Sequence, residues 1–138
     1  MGQGLVNKAV DIILATHNNF TMTAWCLKHL YENTGVDFNL IVMDDSDDIT
    51  EQVVEHYNKE HGNIKFVHTD TPYVHGNAII NEGLKYCTNE FVVYMGNSTI
   101  VEPGWIEQGL NFMKQQTDVG LMGFKLLKPS GVIEHAGI

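Results

Sequence analysis

The chain contains no arginine. All eight of its basic residues are lysines, set against 17 acidic residues, for a net charge of -9 over 138 residues. Nucleic-acid binding needs basic surface to neutralise phosphates, so a DNA or RNA partner is excluded as a working reading, and an anionic membrane surface with it. No apolar run approaches the roughly 20 residues of a membrane span, and the first residues lack the apolar core of a signal peptide. Only two cysteines occur, Cys26 and Cys87, far apart and outside any CxxC pair, which points to a reduced, cytoplasmic protein. The three prolines are scattered, and neither repeats nor low-complexity segments occur. Disorder is excluded by a hydrophobic content of 43% against 18% charged residues. The length suits one domain, spanning 1–138, rather than two.

What is present is an alternation. Ala9 to Ala15 is a short apolar run rich in β-branched residues, as a buried strand requires. Phe20 to Asn33 carries Ala24, Leu27, Leu30 and Tyr31 at helical spacing and ends at Asn33-Thr34-Gly35. Phe38 to Met43 predicts a second strand, and Asp48-x-x-Glu51 a capping box for a helix with Val53, Val54 and Tyr57 inward. Ile64 to His68 predicts a strand, Asn77 to Tyr86 a helix, and Phe91 to Met95 a fourth strand. Pro103 is placed in the first turn of a helix running to about Gln116, and Val119 to Leu127 is a last extended stretch. Apolar strands alternating with helices predict an α/β fold: a mostly parallel sheet with helices on both faces.

Such sheets bind ligands at the carboxyl ends of their strands. The first strand ends in Thr16-His17-Asn18-Asn19, without the glycines a dinucleotide fold needs for its pyrophosphate, and a phosphate loop ending in Gly-Lys-Ser/Thr is absent as well. The second strand ends in four aspartates within five residues, Asp44 to Asp48. Carboxylates there can accept hydrogen bonds from a base or ribose, or bind a hard cation. They can equally form a polar loop in which Asp48 caps the next helix and Asp47 is solvated. Asp44 and Asp45, nearest the strand, are the better candidates for function.

The ordered series Val10 to Asn18, Ile41 to Ser46, Gly76, Asn81-x-Gly83, Phe91 to Met95, Val101 to Ile106, Lys125 to Gly131 and His135-Ala136-Gly137 resembles the family 2 glycosyltransferases of GT-A fold, most closely their rhamnosyltransferase-like branch. The resemblance runs from about Val10 to Gly137 and implies a nucleotide-sugar donor, a UDP-sugar above all. It implies that Ala15, Thr16 and His17 line the nucleotide pocket, and that Asp45 accepts a hydrogen bond from the uracil ring. Gly76 would allow close backbone approach, and Asn81 occupies the asparagine position of the third helix. For His17 the alternative is a solvent-facing loop histidine, and for Asn81 a helix-packing role.

The chain departs from the family where the fourth strand ends. Gly96-Asn97-Ser98 stands in place of the Asp-x-Asp signature. Asn97 can still bond a ribose hydroxyl, but Ser98 is a poor sole ligand for a divalent cation. A departing nucleoside diphosphate nevertheless needs positive charge, and the sequence offers no arginine to supply it. A divalent cation, manganese or magnesium, is therefore expected, with Ser98 and His135 among its ligands. His75 is a further candidate for contact with phosphate, whereas His29, His56, His61 and His68 read as structural and Glu134 is a base by position alone. The acceptor-binding half, with its general base, is not in the sequence, which leaves the acceptor (glycan, lipid or protein) and the catalytic residues open. A truncated sheet with an uncovered face predicts a homodimer. Two readings follow, a transferase or a nucleotide-sugar-binding module without activity. A third, a receiver-like domain prompted by the acidic cluster, lacks a lone aspartate at the third strand end and a lysine after the last strand.

Overall fold

A computed structural model describes residues 8–70 and 76–136. Strand β1 (Val10–Thr16), helix α1 (Phe20–Asn33), β2 (Phe38–Asp44), α2 (Thr50–His61), β3 (Ile64–His68), α3 (Gly76–Leu84), β4 (Val92–Gly96) and α4 (Trp105–Gln115) follow in order, then the short strands β5 (Leu126–Leu127) and β6 (Ile133–His135). The first four strands form a parallel sheet ordered β3-β2-β1-β4, and β5 pairs antiparallel with β6. Chain order reverses direction between β1 and β4, so the crevice at their carboxyl ends is the switch point where such sheets take ligands.

Strand residues alternate between two faces, and parallel register stacks them in rows. Ile12, Leu40, Ile64 and Val93 form one row, and Leu14, Val42, Phe66 and Met95 the next. Against them pack Cys26, Leu27 and Leu30 of α1, Val54 of α2, and Ile106 and Leu110 of α4. On the opposite face Ile13, Ile41 and Met43 meet Ile79 of α3. Gly83 makes that approach close: a Cβ there would lie 2.8 Å from Cγ2 of Ile13. Helices thus cover both faces, as the sequence predicts. On the α3 side, Val92 and Tyr94 of the edge strand β4 stay exposed.

The entrance to the sheet is tied by a buried carboxylate. Asp11 is fully buried and accepts hydrogen bonds from Asn39 Nδ2, the Thr88 and Asn89 backbone N–H groups, and Asn89 Nδ2. Burial pushes its pKa up, but these bonds outweigh it and hold the carboxyl below its ordinary value.

Three local expectations are corrected. Helix α2 begins without a box between Asp48 and Glu51; Asp48 instead accepts from the Thr50 backbone and hydroxyl and, at 3.2 Å, from the Phe20 N–H. Pro103 lies ahead of α4, because Gly104 at φ 82° turns the chain before Trp105. Of Val119 to Leu127 only Leu126–Leu127 is a strand; Phe124 packs its ring on Trp105 of α4 rather than joining a sheet.

Candidate nucleotide-binding site

The register of β1 and β2 does not stop with the strands. Residues 28 apart pair through the sheet from Val10 with Phe38 to Thr16 with Asp44, and side chains carry the same offset onward. The Thr16 hydroxyl donates to Asp44 Oδ1 at 2.6 Å, His17 Nδ1 to Asp45 Oδ1 at 2.7 Å, and the Asn18 N–H to Ser46 Oγ at 2.7 Å. The Asp47 N–H returns the link to Asn18 Oδ1. Asn18 and Asn19 both have positive φ, 50° and 57°, a conformation asparagine tolerates better than most residues. Their consecutive left-handed turns bring the loop after β1 against the loop after β2, and Asn19 then caps α1 by accepting from the Met22 N–H.

Beyond β2, the row Thr16, Asp44 and His68 closes the same sheet face as a polar edge above the apolar rows. Asp44 is 1% exposed, and its second oxygen accepts from His68 Nδ1 at 2.7 Å. His68 Nε2 lies 3.2 Å from Oδ1 of the exposed Asp70. Carboxylates accept and do not donate, so two such neighbours favour the protonated form of the His68 ring. Its pKa is raised, chiefly by the bond to Asp44 and against a smaller effect of burial. His17 is raised as well, by the Asp45 hydrogen bond and charge. On the other flank, the Asn97 N–H donates to Ala15 O, and Asn97 Nδ2 donates to Asn18 O and Thr23 Oγ1. The ends of β1, β2, β3 and β4 are thereby bound into one rim.

The sequence matches the family model of glycosyl transferase family 2 over residues 11–128. The chain belongs to that family. Among relatives, EpsH of Bacillus subtilis (strain 168), assigned as a glycosyltransferase, is 26% identical over 117 residues, covering 84% of this chain and 33% of EpsH. The O-antigen biosynthesis protein RfbC of Myxococcus xanthus is 36% identical over 62 residues, covering 44% of this chain and 5% of RfbC. The chain therefore spans a third or less of these curated relatives. Among solved structures, S. aureus TarS 1-349 in complex with UDP-GlcNAc superposes with a TM-score of 0.71 at 23% identity, covering 78% of this chain and 32% of TarS 1-349. The mannosyltransferase PcManGT of Pyrobaculum calidifontis, in complex with GDP-Man and Mn2+, superposes at 0.60 with 22% identity, over 70% of this chain and 29% of that one. These likenesses establish the GT-A-like α/β fold of this family 2 domain.

The rim gathers most of the family positions. Ala15, Thr16, His17, Asp45 and Asn97 all lie on it, with His17 exposed and the Asp45 side chain largely covered. Thr16 and Asp44 are both buried and bonded to each other, Asp44 also to His68, so they hold the rim from below. Asn97 is a tie between β4 and α1 through its amide N–H groups, which leaves its amide oxygen for a ligand. Gly76 opens α3, while His75 lies outside the described residues. Asn81 is exposed on α3. His68, taken as structural from its place in a strand, also lies on the rim. Register places it there: it is the last residue of β3, level with Asp44.

The metal expectation fares differently. Ser98 sits exposed in the turn after β4, and His135 on β6 beside Gly123. Among the described residues no group of three or more His, Cys, Asp or Glu side chains is arranged to hold a metal ion. No helix among the described residues is long and apolar enough to cross a membrane.

Proposed function

We propose that this family 2 domain, as one donor-binding unit over 1–138, binds a nucleotide-sugar, a UDP-sugar above all, on the rim at the carboxyl ends of β1, β2 and β4. The observation that carries this reading is the side-by-side presentation of His17 and Asp45 by two loops locked in register. Asp45 is the acceptor for a base N–H, His17 packs beside the base, and the amide oxygen of Asn97 takes a ribose hydroxyl. Gly76 and His75 serve the sugar-phosphate end. The likeness in fold to TarS, solved in complex with UDP-GlcNAc, supports a nucleotide-sugar donor.

The domain's reaction is transfer of the glycosyl unit to an acceptor, a glycan, lipid or protein. Manganese or magnesium is proposed to accompany the donor, with Ser98 and His135 as neighbours; no step of the reading runs through it. The two cysteines are unpaired, in keeping with a reducing cytoplasm. Exposed Val92 and Tyr94 on the edge strand support a homodimer through that face.

A second reading, a binding module without transfer, is favoured by Asn97 and Ser98 standing where the family carries carboxylates. Calorimetry with UDP, GDP and their sugars, with and without manganese, tests donor and cation together. Binding of UDP at micromolar concentration supports both readings, release of free sugar or transferred product selects the transferase, and absence of any nucleotide binding contradicts both.

A further inference from the structure

The hydrogen bonds of Asn97 leave its amide a single orientation. Its backbone N–H donates to Ala15 O at 3.1 Å, which fixes the residue beside β1 at the end of β4. Its side-chain Nδ2 donates to Asn18 O at 3.1 Å and to Oγ1 of Thr23, a fully buried residue of α1, at 3.0 Å. A backbone carbonyl can only accept, so the nitrogen end of the amide faces Asn18 and the oxygen end is turned away from it.

Asn18 is the residue that this bond secures. Its φ of 50° lies in the left-handed region, which a residue other than glycine keeps only when its neighbours hold it there. The loop after β2 holds it from one flank: the Asn18 N–H donates to Ser46 Oγ, and Asn18 Oδ1 accepts from the Asp47 N–H. Asn97 holds its carbonyl from the other flank. His17 precedes Asn18 and Asp45 precedes Ser46, so the turn fastened in this way is the one that sets His17 Nδ1 2.7 Å from Asp45 Oδ1.

We propose that Asn97 is a positioning residue: its amide N–H groups lock the Asn18 turn, and through that turn hold His17 against Asp45. This rests on the nucleotide-sugar reading above. The lock requires a donor. An aspartate at this position, the residue type the family carries there, has no N–H and would set a carboxylate oxygen against the Asn18 carbonyl, acceptor against acceptor. The Thr23 hydroxyl can turn to donate to a carboxylate, but the Asn18 carbonyl has no hydrogen to give. Asn97 is therefore matched to the Asn18 turn, rather than being an aspartate site that has lost its charge. The two views have opposite signs. Restoring the carboxylate improves binding at a decayed site and loosens a locked one.

The test compares the full-length wild type with Asn97→Asp, Asn97→Ala and Thr23→Val, each shown folded by circular dichroism. UDP affinity is read by calorimetry, and the titration of His17 by NMR without any nucleotide. Asn97→Asp and Asn97→Ala are each expected to lose at least about fivefold in UDP affinity. Thr23→Val, nearly isosteric and lacking one acceptor of the lock, should lose less in the same direction. In Asn97→Ala the His17 titration should move down from its raised position toward the ordinary 6.5, because the bond to Asp45 slackens. UDP binding by Asn97→Asp as tight as that of the wild type, or tighter, overturns the proposal. So does a His17 titration unmoved in Asn97→Ala, which leaves Asn97 as a structural tie alone. If the wild type binds no UDP, the donor-binding reading falls, and the His17 titration by itself then upholds or overturns the lock.

Discussion

The Thr16 hydroxyl donates to Oδ1 of Asp44 at 2.6 Å, both residues almost wholly buried at the last paired position of β1 and β2. That bond is where the apolar sheet turns into the polar rim. A carboxylate taken out of water needs its acceptor sites filled, and Thr16 and His68 fill one oxygen each. Thr16→Val keeps the shape and removes one donor, and is expected to cost about 1–3 kcal/mol. Urea unfolding checks it. A loss near zero would mean that Asp44 is satisfied without Thr16.

Asp11 anchors the opposite end of the sheet, with four donors on a fully buried carboxylate. Asp11→Ala orphans those donors and is expected to destabilise the fold by at least about 3 kcal/mol. The folded pKa lies below the ordinary 3.8, so the stabilisation is complete above that value and is lost as pH falls through the folded one. Unfolding midpoints measured from neutral pH down to about pH 2 should decline at the acid end. Asp11→Asn should flatten part of that decline.

The two rim histidines give the opposite sign. Both pKa values are raised above 6.5 by carboxylate partners, so their contribution is present below that value and fades as pH rises through the folded ones. His17 is mostly exposed and contributes little; His68, on buried Asp44, carries most of the effect. Stability should fall as pH rises above about 6.5, and His68→Gln should remove most of that slope, as measured by thermal or urea unfolding across the range.

Much of this was legible in the sequence, for identifiable reasons. The four parallel strands and the helices between them followed from apolar periodicity, and α1 and β3 carry the expected ends because Asn33-Thr34-Gly35 and the short run Ile64 to His68 are unambiguous. The place of Asp45 and His17 just beyond strand ends was legible, whereas the buried bonding of Asp44 to Thr16 and His68 was not. Whether an aspartate after a strand faces ligand or core depends on which face its register selects, and the row Thr16, Asp44 and His68 exists only once three strands are aligned. Pro103 misled because the left-handed turn at Gly104 delays the helix.

Gly83 sets how closely α3 sits on the sheet. A methyl group there meets the Ile13 side chain at 2.8 Å, within a core that has no slack. Gly83→Ala is expected to cost about 1–3 kcal/mol through overpacking, even though alanine is the better helix former. An unfolding midpoint equal to or above that of the wild type would show that α3 yields without penalty.

The central claim is that Asp45, at the end of β2, receives the base of a nucleotide-sugar. Its most direct test is calorimetric titration of UDP into the wild type and into Asp45→Asn, which keeps the size and removes the charge. The account predicts saturable UDP binding by the wild type and a loss of at least about tenfold in the variant, as a charged hydrogen bond of about 1.5–3 kcal/mol implies. Equal affinity in the two proteins, or no binding in either, would contradict it.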